Sequence, residues 1–216
     1  MGNKILTVAL MAMLAAALLV SCADVPSTGP TPPVFNSEFR FVHAAADLGQ
    51  LEVRVDGSQV ATLALGESSP RGTFPSGSRV VALSSGESQN IGMDSDQKAS
   101  VYILPSVAGV RELVRLGEGR TFDNPRAPSL RIFSAHPDSS FEIYAYAGGD
   151  TVYDGTALTF KTNTGYLGVA AATYTVDVKF AGSSTTAAST SVTVANGHTV
   201  MVVGVGAGVS LTALND

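Results

Sequence analysis

The sequence has little of the chemistry that metal and redox sites use. It contains one cysteine, Cys22, and no tryptophan. A single cysteine excludes an intrachain disulfide and any zinc or iron–sulfur site that several cysteines hold. The 3 histidines are scattered, and the sequence contains neither an HExxH pattern nor a Gly-x-Ser-x-Gly turn around a candidate nucleophile. We therefore expect a protein that is not an enzyme and that binds no metal and no cofactor.

Charge is also scarce. Only 14% of the residues are charged, whereas about 25% is usual for a globular chain. The 13 Lys and Arg residues against 18 Asp and Glu residues give a net charge of −5. Proteins that hold nucleic acid by counterion release carry a basic face, so this balance argues against a nucleic-acid partner. The length of 216 residues is enough for one domain of about 200 residues or for two small ones.

The N-terminus has the layout of a secretory signal peptide. Lys4 is the only charge before Asp24, and an uncharged, mostly apolar run follows from Ile5 to Val20. A short positive region followed by a short apolar region is typical of such a leader. The run is shorter than the ~20 apolar residues that a membrane-spanning helix needs.

The end of this apolar run resembles the lipobox of bacterial lipoproteins. It reads Leu19-Val20-Ser21-Cys22, with a small residue directly before the only cysteine. The resemblance implies a lipoprotein signal peptide over residues 1–21, and lipidation at Cys22 would anchor the mature chain to a membrane. An ordinary signal peptide with an incidental cysteine is the alternative. Ala23, not Asp, follows the cysteine, which in this family points to the outer membrane or cell surface if the source is Gram-negative.

A proline-rich segment follows Cys22. It contains Pro26, Pro30, Pro32 and Pro33 and few apolar side chains to pack. Such segments favour the extended polyproline II conformation, with a rise of ~3.1 Å per residue. We expect residues 22–38 to be the lipidated cysteine and a tether, and a proline-recognition ligand is the alternative.

The remainder of the chain contains two copies of one unit. Phe39–Val55 aligns with Leu130–Ala145 after one gap, and Arg40 then meets Arg131. The repeat is about 90 residues long, which is the length of a domain rather than of a solenoid repeat. The predicted organisation is a first domain over 39–117, a linker rich in glycine and proline over 118–128, and a second domain over 129–216.

Both copies have the patterns of short β-strands. Leu51–Val55 and Tyr174–Phe180 alternate apolar and polar residues, and Thr199–Val205 is apolar on nearly every residue, as in a covered central strand. Asp56-Gly57 and Asn196-Gly197 are hairpin-turn signals. About seven strands per copy, with turns every 8–12 residues, predict an all-β chain of two tandem immunoglobulin-like antiparallel β-sandwich domains.

Three segments resemble the DUF 4397 domain family. They are Phe41-Val42-His43-Ala44-Ala45-Ala46-Asp47, then Leu51–Gly57, and later Ala172–Val178. The resemblance covers most of residues 39–205. It implies a secreted or surface protein of bacteria, often a lipoprotein with tandem copies, and supplies no catalytic residues because the family's role is uncharacterised. Ala46 stands where proline is usual, and His136 of the second copy is shifted by two places relative to His43, which argues against an essential catalytic histidine.

The candidate ligand-binding residues are aromatic. In the run from Phe141 to Tyr146, alternation places Glu142, Tyr144 and Tyr146 on one face of a strand. Exposed tyrosines beside a carboxylate are a frequent platform for glycans or peptides, because the ring offers flat apolar area and a hydroxyl. The alternative is that these tyrosines cover the second face of a sandwich strand or a contact between domains.

Other polar residues have simpler explanations. Asp94-Ser95-Asp96 places two carboxylates close together, but calcium needs six to eight oxygen ligands, so a polar turn is favoured. Asp47 and Asp138 recur at matching places, and we expect both to make Asx-type turn hydrogen bonds. We expect His43, which shares a strand face with Phe39 and Phe41, to be a hydrogen-bonded core or rim residue.

Together these observations predict a lipid-anchored protein of the cell envelope. Its expected role is that of a non-catalytic structural, adhesive or interaction module, with an unidentified envelope protein or glycan as partner. One alternative is a glycan- or peptide-binding surface receptor that uses the aromatic patch. Another is an envelope hydrolase, which would need His43 or His136 beside a serine and a buried carboxylate.

Overall fold

The computed structural model describes residues 34–120, 127–137, 139–205 and 208–216. The predicted signal peptide, Cys22 and most of the predicted tether lie outside these residues. The described part is built from strands: β1 (Asn36–His43), β2 (Leu51–Val55), β3 (Ser58–Leu63), β4 (Gly72–Pro75), β5 (Gly77–Leu83), β6 (Ser88–Met93), β7 (Gln97–Ile103), β8 (Leu113–Arg120), β9 (Ser129–Ser134), β10 (Phe141–Ala147), β11 (Asp150–Leu158), β12 (Leu167–Gly168), β13 (Ala172–Phe180), β14 (Thr186–Val194), β15 (Gly197–Val205) and β16 (Gly208–Asn215). It contains no helix that could cross a membrane.

The sixteen strands form four sheets of four strands each. The first half of the chain supplies the sheets β4-β1-β7-β8 and β3-β2-β5-β6, and the second half supplies β12-β9-β15-β16 and β11-β10-β13-β14. The two halves therefore have the same strand order, with eight strands each instead of the seven predicted. The prediction of an all-β sandwich is confirmed.

Two strand pairs are parallel, although an antiparallel fold was expected. β1 pairs with β7, with Phe41 opposite Val101, and β9 pairs with β15, with Phe133 opposite Met201. Every other pairing between the named strands is antiparallel. Because β1 and β7 run the same way, the chain must cross between the two sheets of each half to bring these strands together.

Each half has a core between its own two sheets. Alternation along β2 turns Leu51, Val53 and Val55 inward, as predicted, and the same pattern in β10 buries Phe141 and Ile143. The first core is built on Phe39, Phe41, Leu51, Val81, Met93, Val101 and Ile103. The second is built on Leu130, Ile132, Phe141, Ile143, Val176, Val178, Val200 and Val202. Phe35–Asp216 as a whole forms one compact unit.

A third apolar cluster lies between the two halves. It is formed by the outward faces of the sheets that contain β1 and β9, so these central strands are buried on both faces. The rings of Tyr102 and Phe133 meet there, with their centroids 4.6 Å apart. The cluster comprises Val42, Ala44, Tyr102, Leu104, Phe133, Ala135, Met201, Val203 and Leu214. The prediction that Thr199–Val205 is a covered central strand is confirmed, because β15 lies between β9 and β16.

Regular structure extends into two segments for which other roles were predicted. β1 begins at Asn36, inside the predicted tether, because antiparallel pairing with β4 and a hydrogen bond from Ser37 Oγ to the carbonyl of Asp94 hold its first residues. β8 continues to Arg120, inside the predicted linker, because its last residues pair with the start of β7. Glu118 is therefore a strand residue with a buried side chain.

The turn predictions had mixed outcomes. Asp56 and Gly57 form the β2–β3 hairpin turn with φ angles of 49° and 83°, as their residue types require. Asn196-Gly197 is not a hairpin turn, because β14 and β15 belong to different sheets and the chain crosses between them there. The hairpin motif indicates only that the chain turns, whereas the partner of each strand is decided by the faces that must be buried.

Candidate functional site

The predicted aromatic patch lies on the outward face of the second half. Along β10, Phe141, Ile143 and Ala145 are buried, whereas Glu142, Tyr144 and Tyr146 are half-buried on the other face. The cross-strand neighbours of Tyr144 and Tyr146 on β13 are Asp177 and Thr175. Strand alternation thus places the three predicted residues side by side.

The tyrosines of this patch are engaged with their neighbours. Tyr144 donates to Glu142 Oε2 at 3.2 Å, and Tyr146 donates to Asp177 Oδ2 at 2.9 Å. The Lys179 ammonium lies 4.5 Å from the centre of the Tyr144 ring, in a cation–π contact. Burial and Glu142 raise the pKa of Tyr144, and the hydrogen bond to Asp177 raises the pKa of Tyr146. The face is therefore a preorganised polar surface rather than a bare aromatic platform.

A buried cluster of charges joins the two halves. Arg40 on β1 donates through Nε to Ser100 Oγ at 2.6 Å and through Nη1 to the carbonyl of Asn215. Its Nη2 donates to the carboxylates of Glu118 and Asp216. Glu118 belongs to the first half and Asp216 to the second, so a single guanidinium binds carboxylates from both.

Arg131 repeats this arrangement from the second half. It donates through Nε to Thr199 Oγ1 at 3.0 Å and through Nη1 to the carbonyl of Gly117 at 2.9 Å. Its Nη2 lies 3.9 Å from Glu118 Oε1 and 3.8 Å from Asp216 Oδ2. Each arginine thus contacts a hydroxyl of its own sheet, a carbonyl of the other half and both carboxylates, so the interface has approximate twofold symmetry.

Two further side chains complete the cluster, again at equivalent places. Arg71, just before β4, forms an ion pair with Glu118, and Tyr166, just before β12, donates to Asp216 Oδ2 at 2.7 Å. Ser100 donates to Glu118 and Thr199 donates to Asp216. Arg40 and Arg131 occupy aligned positions of the repeat, and two aligned arginines on strands rich in apolar residues are the sequence signal of this buried charge site, which the predicted site residues do not include.

The electrostatics of the cluster follow from its burial. Burial alone disfavours a charged guanidinium, but Glu118 and Asp216 outweigh it and raise the pKa of Arg40. Burial raises the pKa of the Tyr102 phenol to about 12. Burial and Asp216 raise the pKa of Tyr166 as well. At neutral pH a charged Arg40 therefore lies beside uncharged phenols.

His43 has the structural role that was predicted for it. The backbone N–H of Ala45 donates to His43 Nδ1 at 3.2 Å, so the ring proton is on Nε2, which lies 2.8 Å from the carbonyl of Gly49. Burial lowers the pKa of His43. The ring is fully buried and fixes the loop that follows β1.

Asp47 does not act mainly through the predicted Asx turn. Its carboxylate accepts two hydrogen bonds from Arg111 and one from the backbone N–H of Ser106. The hydrogen bond from Arg111 lowers the pKa of Asp47. Asp47 thus joins the loop after β1 to the loop after β7. Its predicted counterpart, Asp138, lies outside the described residues.

A cleft lies beside this loop, between the two halves. Its volume is about 290 Å³, and it is lined by Ala46, Asp47, Pro105, Ser106, His136, Pro137 and Gly204. A β-carbon at position 204 would lie 2.9 Å from Cδ2 of His136, so glycine is needed there for the imidazole to lie against β15. The cleft therefore brings together equivalent loops of the two copies. Ala46 and Asp47 come from the first copy, and His136 and Pro137, about 90 positions later, come from the second.

The predicted polar turn at residues 94–96 is confirmed as a turn. Asp96 has a φ of 58°, and Asp94 accepts a hydrogen bond from Arg115 Nη1 at 2.7 Å. Among the residues that the structure describes, no group of three or more His, Cys, Asp or Glu is arranged to hold a metal ion. Cys22 lies outside those residues.

Comparison with protein families gives a match for the second half of the chain. Residues 128–216 match the model of the family DUF4397, described as a domain of unknown function. The match confirms the family resemblance for this part of the chain, which corresponds to β9–β16. No curated protein matches the chain.

Proposed function

We propose, for a chain whose residues 128–216 match the DUF4397 family, that the protein is a lipid-anchored, non-catalytic structural or adhesive module of the cell envelope. The observation that carries this proposal is the interface between the two halves. Its apolar cluster and its buried charges are specific to one arrangement of the two sandwiches. A rigid body on a tether suits a protein that presents surfaces to a partner.

The lipid anchor is tested by replacing Cys22. The full chain is expressed in a diderm bacterium with a labelled fatty acid, beside a Cys22→Ser variant. The natural chain takes up the label and sediments with membranes, whereas the variant remains unlabelled and soluble in the periplasm. Equal sedimentation and no label in either chain would overturn the anchor.

The adhesive role is tested on cells that display the chain. Attachment to purified envelope material is compared between cells with the natural chain and cells with the Cys22→Ser variant, at matched expression. We expect attachment to require the anchored chain. Equal attachment without the protein on the surface would contradict the role.

A second candidate is a receptor that binds glycans or peptides on the outward face of β10. The side-by-side placement of Glu142, Tyr144 and Tyr146 favours it. The Tyr144→Ala and Tyr146→Ala double variant is expected to lose binding to an array of envelope glycans while its thermal unfolding stays close to that of the natural chain. Unchanged binding would remove the patch from consideration.

A further inference from the structure

The directions of the strands define two opposite ends of the folded unit. Arg40 of β1 and Arg131 of β9 contribute to the same charge cluster. The residues that follow them, Val42 and Phe133, belong to the shared apolar cluster. The two strands therefore run in the same direction. The chain enters at Asn36, and β8 and β16 return to the same end. The loops that follow β1, β7 and β9 lie at the opposite end, about 26 Å away for a strand of eight residues. We call this opposite end the distal end.

The distal end presents an apolar hairpin tip. Val107 and Val110 exchange two backbone hydrogen bonds around Ala108 and Gly109, whose φ angles are 52° and 80°. The side chains of the two valines are directed to solvent, since Val107 is 42% exposed and Val110 is 61% exposed. Two exposed apolar side chains therefore lie together at the tip, and exposed apolar groups that lie together are a feature of interaction sites.

The tip is held rigidly by Arg111. The guanidinium of Arg111 is almost fully buried, and it donates to Asp47, to Glu87 and to the carbonyl of Leu104. Asp47 in turn accepts from the N–H of Ser106. Four anchoring points within one loop reduce the conformational entropy that binding would otherwise cost. The cleft of about 290 Å³ opens directly beside this loop.

The rim of the distal end is acidic. The exposed or half-exposed carboxylates are Asp47, Glu67, Glu87 and Glu112. Among the described loops of this end, the opposing cations are Lys161, which forms an ion pair with Glu112, and the buried Arg111. The acidic side chains at this end thus outnumber the basic ones, and they are more exposed to solvent. This surface would be repelled by anionic lipids, so the valines do not suit insertion into such a membrane.

We propose that the distal cleft and the 104–112 loop form a docking site for an extended polypeptide segment with apolar side chains flanked by Lys or Arg. An apolar residue of the segment packs on Val107 and Val110, and its basic neighbours face the acidic rim. Asp47 lines the cleft, and its side chain is 41% exposed although Arg111 binds its carboxylate. The site's position away from the membrane rests on the proposed lipid anchor, whereas the docking itself does not.

The docking is tested with defined peptides on the full mature chain. A fluorescein-labelled peptide of alternating lysine and valine is titrated, with glutamate–valine and lysine–serine peptides as matched probes. We expect saturable binding of the lysine–valine peptide alone. The Val107→Ser and Val110→Ser double variant weakens it at least tenfold, and Glu112→Gln weakens it severalfold.

Val80→Ser is the matched control. Val80 is 47% exposed on β5, away from the distal end, so its replacement leaves the affinity unchanged. The proposal is overturned if no lysine–valine peptide binds, or if Val80→Ser and the tip variant reduce binding equally. It is also overturned if envelope glycan fragments, and no peptide, bind in a manner that the tip variant abolishes.

The orientation is tested separately on lipid vesicles. The lipidated chain carries a fluorophore at Val110→Cys or at Ser58→Cys, and energy transfer to an acceptor in the bilayer is measured. Ser58 follows the β2–β3 turn, which Arg79 joins to Pro75 beside the start of β1. Transfer is expected to be stronger from position 58. Equal transfer would overturn the anchored orientation and leave the peptide result to decide the docking.

Discussion

Arg40 and Arg131 occupy equivalent positions on β1 and β9, and both guanidinium groups approach the carboxylates of Glu118 and Asp216. Each also donates to a backbone carbonyl of the opposite half. The two copies of the repeat thus pack against each other across an interface with approximate twofold symmetry. A buried ion cluster stabilises little in itself because desolvation offsets the attraction, but it penalises any arrangement in which a partner is missing.

Removing one member of the cluster should be costly. Arg40→Met leaves Glu118 and Asp216 with less compensation for their burial, so we expect a loss of about 3–5 kcal/mol in the free energy of unfolding. Urea denaturation of the full chain measures it. Arg54→Met is the matched control, since Arg54 forms an exposed pair with Glu52 that is worth about 0–1 kcal/mol. Equal losses in the two variants would contradict the prediction.

Replacing the whole cluster should be much milder than removing one member. A variant with Arg40→Met, Arg71→Met, Arg131→Met, Glu118→Leu and Asp216→Leu removes the charged side chains of the cluster together. Since apolar side chains of similar size often substitute for buried ions at little cost, we expect a stability within about 2 kcal/mol of the natural chain. Denaturant midpoints compared with the Arg40→Met variant test this. A loss larger than that of Arg40→Met would show that the charges stabilise the interface directly.

The hydroxyl of Tyr102 should destabilise the interface. It is fully buried against Phe133, and it has no hydrogen-bond partner among the described residues. An unsatisfied buried hydroxyl costs about 1–3 kcal/mol, so Tyr102→Phe is expected to raise the free energy of unfolding by about that amount. Tyr146→Phe, which removes a hydrogen bond to Asp177, should lower it slightly. A lower melting temperature for Tyr102→Phe would overturn the prediction.

The stability should depend on pH through His43. Burial lowers its pKa in the folded state, whereas the unfolded chain takes up the proton near pH 6.5. As the pH falls below about 6.5, the unfolded state binds more protons, so the free energy of unfolding falls, by at most about 1.4 kcal/mol per pH unit. The loss ends once the pH is below the folded pKa.

The contribution of His43 is isolated by a variant. His43→Asn has no titrating ring, so its unfolding free energy should change less between pH 7.5 and pH 5.5 than that of the natural chain. Chemical denaturation at several pH values gives the two profiles. Parallel profiles would assign the pH dependence to other groups.

Local patterns predicted the strands but not their partners. Alternation identified β2, β10 and β13, because a period of two is visible within five residues. The parallel pairing of β1 with β7 joins residues about sixty positions apart, and no local pattern records it. For the same reason the prediction of a hairpin turn at Asn196-Gly197 is wrong, since a turn motif does not reveal whether the next strand stays in the same sheet.

The candidate sites divide in the same way. The face shared by Glu142, Tyr144 and Tyr146 was predictable because it depends on one strand. The cluster around Arg40 and the distal cleft were not, because each combines loops or strands from both halves. Arg111 illustrates what local sequence cannot predict. No residue near it in the sequence indicates that its side chain is buried against Asp47, which lies 64 residues earlier.

The sequence by itself determined the all-β character, the internal repeat and the inward face of each alternating strand, because these follow from side-chain periodicity over a few residues. Only the tertiary structure decided that the outward faces of the β1 and β9 sheets are also buried, against each other. Because both faces of these strands are buried, Arg40 of β1 and Arg131 of β9 lie among apolar residues. The physical reason is that a charge enters an interior only when its partners are brought to it, and Glu118 and Asp216 reach Arg40 and Arg131 only through the packing of one half on the other.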